Sequence, residues 1–335
     1  MRSATALVMV ISACGPSNPL DGKEWTPTLR LGDLSDGSAV DGEERLVTSG
    51  FNDRHTFRLD PGTALWDDLG VSAENSRGTL RTDRDGVVYQ DYITPDFNDR
   101  PRRRLYRLDD RTWTRIAAFD AELTVELAAD GTWWGYEWTG SAPVTTTLYK
   151  LVDGTWTPHA MFADHELGFL SDSRGQLYAF DEKRKGLWKV NAAGGLDVVL
   201  DCGTIIDPAC GNRFLGFRVD GGGNIFFFGG DPGVGHAMYR LPAGGTKAEL
   251  FTRFPEIDVD APHVFGFQYD GDGNFYLVYG NNVSSAADLF FLEDGSTEWQ
   301  DVIDWPRGNT TYFPLVGRKG TVYAENAAGP HMVLK

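Results

Sequence analysis

Large apolar residues alternate with polar ones along this chain in short runs, broken by Gly, Asp and Asn. The clearest stretch is VFGFQYDGDGNFYLVYG, Val264–Gly280. Two alternating runs flank Asp270–Asn274, and such a cluster between them predicts antiparallel strands joined by a tight turn. The same hairpin recurs with its turn glycine at Gly86, Gly131, Gly175, Gly223, Gly273 and Gly320, and in a weaker copy at Gly42. Successive spacings are 44, 45, 44, 48, 50 and 47 residues. Three residues beyond each clear glycine stands an aromatic: Tyr89, Trp134, Tyr178, Phe226, Tyr276 and Tyr323. Gly42 has Arg45 there instead.

After a variable loop each copy continues into a second hairpin, whose first strand reads like Leu105–Leu108, Leu148–Leu151 or Met238–Leu241. Units of four strands at this spacing predict the blades of a β-propeller. The last copy stops at Lys335 with three strands, while Glu24–Leu29 resembles Thr155–Ala160, the fourth strand of an internal copy. The N-terminal strand is therefore expected to complete the last blade and close the ring, which removes two open sheet edges. The expected fold is all-β: a seven-bladed propeller of four-stranded antiparallel blades over residues 24–335. Six blades is the alternative if the Gly42 copy is an insertion. A β-sandwich array would not account for a terminal strand that matches an internal one.

Composition agrees with many short strands and turns: 40 Gly, 20 Phe, 12 Tyr and 10 Trp in 335 residues. Length alone would suggest two domains, but the even repeats and the lack of a linker argue for one. The net charge of −17 disfavours nucleic-acid binding, which needs a basic footprint; otherwise it marks a solvated acidic surface.

Residues 1–14 read MRSATALVMVISAC: one basic residue, an apolar run Ala4–Ile11, then Ile11-Ser12-Ala13-Cys14. This resembles a bacterial lipoprotein signal with its lipobox. The resemblance implies that residues 1–13 are a signal peptide, that Cys14 carries a lipid, and that 14–23 form a flexible tether. The apolar run is shorter than the roughly 20 residues a spanning helix needs. An ordinary secretory signal or a misplaced start codon are the alternatives. No Asp follows Cys14, which points to the outer membrane or cell surface rather than the inner membrane. Of the three cysteines, Cys202 and Cys210 then remain, and in an oxidising compartment a disulfide between them is expected. Free thiols or a metal site are the alternatives.

Propeller geometry puts the tight first-hairpin turns on one face. The second-to-third-strand loops and the blade connections share the other. The latter are long and diverse, and function concentrates on such loops. The connections carry Asp164, His165, Asp260, His263 and Asn309. Histidines and carboxylates converging at the channel mouth could bind a divalent metal or act as an acid/base pair; apart, they are solvated loop residues. Arg100–Arg104, with Arg102, Arg103 and Arg104, is a basic cluster in an acidic chain. It reads either as a dock for an acidic partner or anionic head groups, or as a solvated loop. Trp138 and Tyr92 could stack on sugars or peptides, or belong to the core. Asp83–Gly86 and Asp270–Asn274 superficially resemble calcium loops, but neither has the downstream Glu, and Asp, Gly and Asn form turns in their own right. No cofactor is expected, with Ca the alternative at these turns.

The chain resembles the broad class of bacterial propeller repeat proteins over residues 24–335, without a family-specific motif. The Gly-His…Trp-Asp pair, a full sialidase box, Gly-x-Ser-x-Gly and His-Glu-x-x-His are all absent from the sequence. Two functions remain in view. One is a lipid-anchored envelope propeller, a monomer that binds a protein or glycan partner through its long-loop face. The other is an envelope enzyme of lyase, lactonase or glycosidase type at the channel mouth.

Overall fold

Alternating apolar runs between Asp/Gly turns produce seven sheets of four antiparallel strands. The computed structural model describes residues 20, 22–27, 35–50, 55–63, 65–71, 78–94, 102–119, 123–140, 144–172, 174–181, 186–201, 217–220, 222–231, 235–245, 247–257, 262–281, 287–306, 312–326 and 332–335. A short strand β1 (Trp25–Pro27) precedes blade 1, which holds β2 (Ser35–Val40), β3 (Leu46–Gly50), β4 (His55–Asp60) and β5 (Leu65–Val71). Blade 2 holds β6 (Gly78–Thr82), β7 (Val88–Thr94), β8 (Arg102–Asp109) and β9 (Thr112–Phe119). Blade 3 holds β10 (Thr124–Leu127), β11 (Trp133–Thr139), β12 (Thr145–Val152) and β13 (Thr155–Ala163). Blade 4 holds β14 (Gly168–Ser171), β15 (Leu177–Asp181), β16 (Gly186–Val190) and β17 (Leu196–Asp201). Blade 5 holds β18 (Phe217–Val219), β19 (Ile225–Asp231), β20 (Gly235–Leu241) and β21 (Glu249–Arg253). Blade 6 holds β22 (Pro262–Tyr269), β23 (Phe275–Asn281), β24 (Ala287–Leu292) and β25 (Gln300–Asp304). Blade 7 holds β26 (Tyr312–Val316), β27 (Val322–Asn326) and β28 (Met332–Leu334), with β1 as its outer strand. Inner strand β2 meets both β6 and β26, so the seven blades form a ring. The six-blade alternative is set aside.

Closure is as the sequence predicts. Trp25 pairs with Leu334, Thr26 with Val333 and Pro27 with Met332. Beyond the strand ends, Glu24 N donates to Lys335 O at 2.7 Å and Lys335 N to Glu24 O at 3.0 Å. The Trp25 indole donates to Asp304 O at 3.0 Å and lies edge-on to Trp305, tying the borrowed strand to blade 6.

In blades 1 to 6 the register between third and fourth strands slips at one equivalent place, for instance between Leu105 and Tyr106 or Leu289 and Phe290. Such bulges add twist to the outer strand. The cores lie between blades rather than within them. Leu187 and Leu200 of blade 4 pack with Phe227 and Tyr239 of blade 5, and Leu46 and Leu59 of blade 1 pack with Tyr323 and Val333 of blade 7.

Most of the tight turns share one pattern. In blade 2, Asp83 N donates to Val87 O (3.2 Å) and Gly86 N to Asp83 O (3.1 Å). The Asp83 carboxylate accepts the amides of Asp85 and Val87, both at 2.9 Å, and the Tyr89 hydroxyl at 3.0 Å. Asp270 does the same with Asp272, Asn274 and Tyr276. These contacts are the turn-forming role weighed above for the calcium-like segments. Burial, then the Asp83 charge, pushes the Tyr89 hydroxyl up to about 12, so it remains a donor. Gly86 sits at φ +78, a conformation that carries no steric cost without a Cβ.

Blade 1 departs from the sequence alignment. Glu44 N donates to Asp41 O at 3.0 Å and Asp41 N donates to Arg45 O at 2.9 Å, the pattern of Gly86 and Asp83. The residue in the left-handed turn position is therefore Glu44, at φ +65, and not Gly42. The position that is aromatic elsewhere falls on Val47, which is fully buried. Gly42 is required for another reason: its N donates to Gly86 O at 3.1 Å, and a Cβ there would lie 2.9 Å from Asp85 O.

Glu44 accepts this strained backbone because its side chain acts in the next blade. In blade 7 the turn residue is Gly317, with no carboxylate. Glu44 Oε1 accepts Lys319 N at 3.0 Å and Oε2 accepts Thr321 N at 3.2 Å. These are the two amides that an Asp at 317 would cap. The Tyr323 hydroxyl donates to Glu44 O at 2.6 Å. A Cβ on Gly317 would fall 2.0 Å from Glu44 Oε2. The first blade thus supplies the cap that the last one lacks.

Glu44→Ala should lower unfolding stability by roughly 1 kcal/mol, because it removes the acceptor of two part-buried amides. Gly317→Asp should cost more, through collision of two carboxylates. Glu44→Gly combined with Gly317→Asp should recover most of the loss, because the cap then comes from within blade 7. Chemical denaturation of the three variants checks this; a double variant no better than Gly317→Asp alone would refute the exchange.

Candidate functional site

Each inner strand ends at a turn residue: Asp41, Asp83, Ala128, Asp172, Asp220, Asp270 or Gly317. The residues immediately on either side of the next position back, such as Leu80, Val125, Leu127, Val219 and Phe267, are buried between blades. The residues two before each turn stand opposite second-strand residues on the same face of the sheet, for instance Arg81 opposite Tyr89, Arg218 opposite Phe226 and Leu315 opposite Tyr323. Those residues are Ala39, Arg81, Glu126, Leu170, Arg218, Gln268 and Leu315. This layer is apolar on blades 1, 4 and 7 and polar on blades 2, 3, 5 and 6.

A cavity of about 570 Å³ opens here toward the tight-turn side, lined by Arg81, Arg218, Gln268 and Tyr269 among others. Arg81 Nη1 donates to Glu126 Oε2 at 3.1 Å and Nη2 to Val125 O at 3.2 Å. Its Nε is buried without a hydrogen-bond partner. The Arg218 guanidinium lies over the Tyr269 ring, 5.3 Å from its centroid. Burial pushes the Glu126 carboxyl above the usual range, and the charges of Arg81 and Arg218 pull it back. Sequence reading passed this layer over. Counting two residues back from each turn would have found it.

On the long-loop side the structure brings some of the expected residues together. His165 follows β13; its Nδ1 lies 3.7 Å from Oδ2 of Asp181, a buried carboxylate at the end of β15. The imidazole is edge-on to Trp188, with centroids 5.6 Å apart. The His165 carbonyl accepts the Thr146 hydroxyl at 2.6 Å, and the same hydroxyl accepts Leu167 N at 3.1 Å. Leu167 O in turn accepts the Trp138 indole N–H at 2.9 Å. Trp138 remains 50% exposed and tilts against Tyr136. Trp138 and His165 are thus held on one short segment at the boundary of blades 3 and 4. Asp164 beside them is exposed, at φ +63.

The remaining candidates do not join this group. His263 lies on β22 of blade 6, opposite Gly280, and its side chain is outside the described residues. Asp260, Asn309, Cys14, Cys202 and Cys210 also lie outside them. The basic cluster is not the loop expected: Arg102, Arg103 and Arg104 open strand β8, opposite Thr94, Ile93 and Tyr92. Arg103 Nε donates to the buried Asp91 carboxylate at 3.0 Å, so Arg103 neutralises a core acid rather than facing solvent. Tyr92, also weighed as a stacking residue, is buried. Among the described residues no three His, Cys, Asp or Glu side chains gather to hold a metal.

No protein-family model matches the chain, and no curated protein does. Similar solved structures include oligogalacturonate lyase from Vibrio parahaemolyticus, with TM-score 0.61 and 11% identity over 93% of this chain and 96% of that one. YCF48 bound to D1 peptide matches at TM-score 0.60 and 11% identity, over 95% and 98% of the two chains. Virginiamycin B lyase from Staphylococcus aureus matches at TM-score 0.58 and 10% identity, over 93% and 98%. At these identities the likeness shows the fold, which binding proteins and lyases share.

Arg81→Met leaves Glu126 buried without its guanidinium and should destabilise the protein by roughly 3 kcal/mol at neutral pH. A carboxyl whose folded pKa is raised stabilises the fold most when protonated, and that contribution is lost as pH rises through its titration. The gap between variant and parent should therefore narrow on acidification, and adding Glu126→Gln should narrow it at neutral pH. Urea denaturation at acidic and neutral pH measures both; a pH-independent gap would contradict the assignment.

Proposed function

We propose that the protein is a lipid-anchored propeller of the bacterial envelope that binds a protein or glycan partner through its long-loop face. The observation that carries this reading is Trp138. Its ring is half exposed, yet its indole N–H is fixed on Leu167 O, and Leu167 and His165 are fixed in turn by Thr146. An exposed aromatic already held in one orientation loses little entropy on binding, which suits stacking against a sugar ring or a peptide side chain. Attachment to the membrane rests on Cys14 within the lipobox-like segment and is part of the same proposal, as is the outer-membrane or cell-surface location. The Cys202–Cys210 disulfide belongs with export.

A second reading, an envelope enzyme, draws on the approach of His165 to the buried Asp181 carboxylate. The 3.7 Å separation is longer than a hydrogen bond, so the pair would have to close before the carboxylate could orient the imidazole as a general base. The two readings separate on variants: Trp138→Ala removes the platform, and His165→Ala removes the base.

Soluble protein lacking residues 1–14 should retain a specific partner from envelope extracts or on immobilised envelope glycans. Trp138→Ala should weaken that retention at least tenfold while leaving the circular dichroism spectrum unchanged. Equal retention by Trp138→Ala would remove the long-loop patch from the proposal. Turnover of a retained glycan that His165→Ala abolishes would favour the enzyme.

Mass spectrometry of the native N-terminus should find Cys14 acylated; retention of residues 1–13 would overturn the anchor.

A further inference from the structure

Trp138 ends a row of three aromatic side chains. On β11, Trp134, Tyr136 and Trp138 share one face of the sheet, because alternate residues of a strand point the same way. Opposite them on β12 stand Lys150, Leu148 and Thr146 in turn. At the first step the Lys150 ammonium lies over the Trp134 ring, 5.5 Å from its centroid. The chain repeats that contact elsewhere, with Arg218 over Tyr269 and Arg240 over Phe251. At the last step the cross-strand partner is a threonine, whose hydroxyl is committed to His165 O and Leu167 N. Among the described residues no cation lies over Trp138, and its ring stays 50% exposed.

The indole N–H already donates to Leu167 O. What the ring still offers a ligand is therefore its π face, the negative part of its quadrupole. The charges around it have the same sign. Glu137 precedes Trp138 on β11, Asp164 and Glu166 stand on the connection that carries Leu167, and Asp181 lies beside His165. Glu137 accepts the Tyr149 hydroxyl and Asp181 is buried. Asp164 is exposed, three residues before Leu167. Of the described groups on these segments only His165 can carry positive charge. An aromatic face bordered by carboxylates attracts an ammonium or a guanidinium. The net charge of −17 adds attraction at longer range. A neutral sugar could use the ring but would gain nothing from the charge.

We propose that the partner of the long-loop face is a basic peptide segment, whose lysine or arginine side chain covers Trp138 as Lys150 covers Trp134. Asp164 supplies the counter-charge. The inference rests on the reading of Trp138 as the binding platform, and it narrows the partner from a protein or glycan to a cationic protein.

Fluorescence anisotropy of the purified full chain at physiological salt tests this with three labelled probes: a Lys-Gly repeat peptide, the same peptide with every lysine acetylated, and maltohexaose. The lysine peptide should bind with Kd tighter than about 1 mM. Acetylation keeps the side-chain stem and removes the charge, and should weaken binding at least tenfold. Trp138→Ala should also weaken it at least tenfold, and Asp164→Asn severalfold. Asp301→Asn removes a likewise exposed charge on blade 6 and should leave Kd unchanged, which separates the site from general attraction to an acidic surface. Should Trp138→Ala fail to fold, Trp138→Phe keeps an aromatic with a weaker π face and should still weaken binding severalfold. Equal binding of the acetylated peptide, undiminished binding by the Trp138 variants, or no binding of the lysine peptide would overturn the inference. Maltohexaose bound through Trp138, with no preference for lysine, would overturn it as well but leave the platform standing. Retention of an envelope partner that does not need Trp138 would remove the platform itself.

Discussion

The seam between blades 7 and 1 is the constraint on which the remaining architecture depends. Six of the described sheets are drawn from consecutive strands, whereas the seventh joins β1 to β28 across nearly the whole chain. Only three residue pairs make that joint, a small area for a ring whose cores all lie between blades. Left open, β28 would expose an unpaired edge and blade 7 an apolar face. The joint is therefore reinforced from several directions. Trp25 packs on Trp305, and Leu20 is buried among Tyr276 and Phe291 of blade 6. Glu44 crosses from blade 1 to cap the blade 7 turn.

The Glu44 contact shows how a repeat accommodates an exception. In most copies the cap and the capped amides belong to one turn, so each blade is locally self-consistent. At the seam the cap comes from the neighbour, which makes the turn of blade 7 correct only when blade 1 is in place. The exchange required three linked departures from the repeat: Glu in a left-handed turn position, Gly where five of the other six blades have Asp, and a tyrosine hydroxyl redirected to a backbone carbonyl. Each looks like a weak or degenerate copy by itself. Together they couple the first blade to the last.

This coupling also explains what sequence could and could not reveal. The blade count, the strand pattern and the closing strand were legible because turn glycines and alternating apolar runs are local signals. The first copy looked weak because its left-handed residue is Glu44, and a search for glycine settles on Gly42 two positions earlier. Arg102–Arg104 read as a solvated loop because nothing local announces that Asp91, on the preceding strand, awaits Arg103. His165 was legible as polar chemistry on a variable connection. Its meeting with Asp181 was not, since the two come from different blades.

The polar residues two before each turn were illegible for a different reason. They sit in strands whose pattern is already explained by interblade packing at the flanking positions, so Arg81 or Arg218 passes as the polar half of an alternation. Once the ring is closed, however, the polar half of an inner strand faces not bulk water but the neighbouring blade. There Ala39, Leu170 and Leu315 pack against the interblade cores, whereas blades 2, 3, 5 and 6 place polar side chains at the same step. Arg81 meets Glu126 there across blades 2 and 3, at the step where Leu170 and Leu315 pack against apolar neighbours instead.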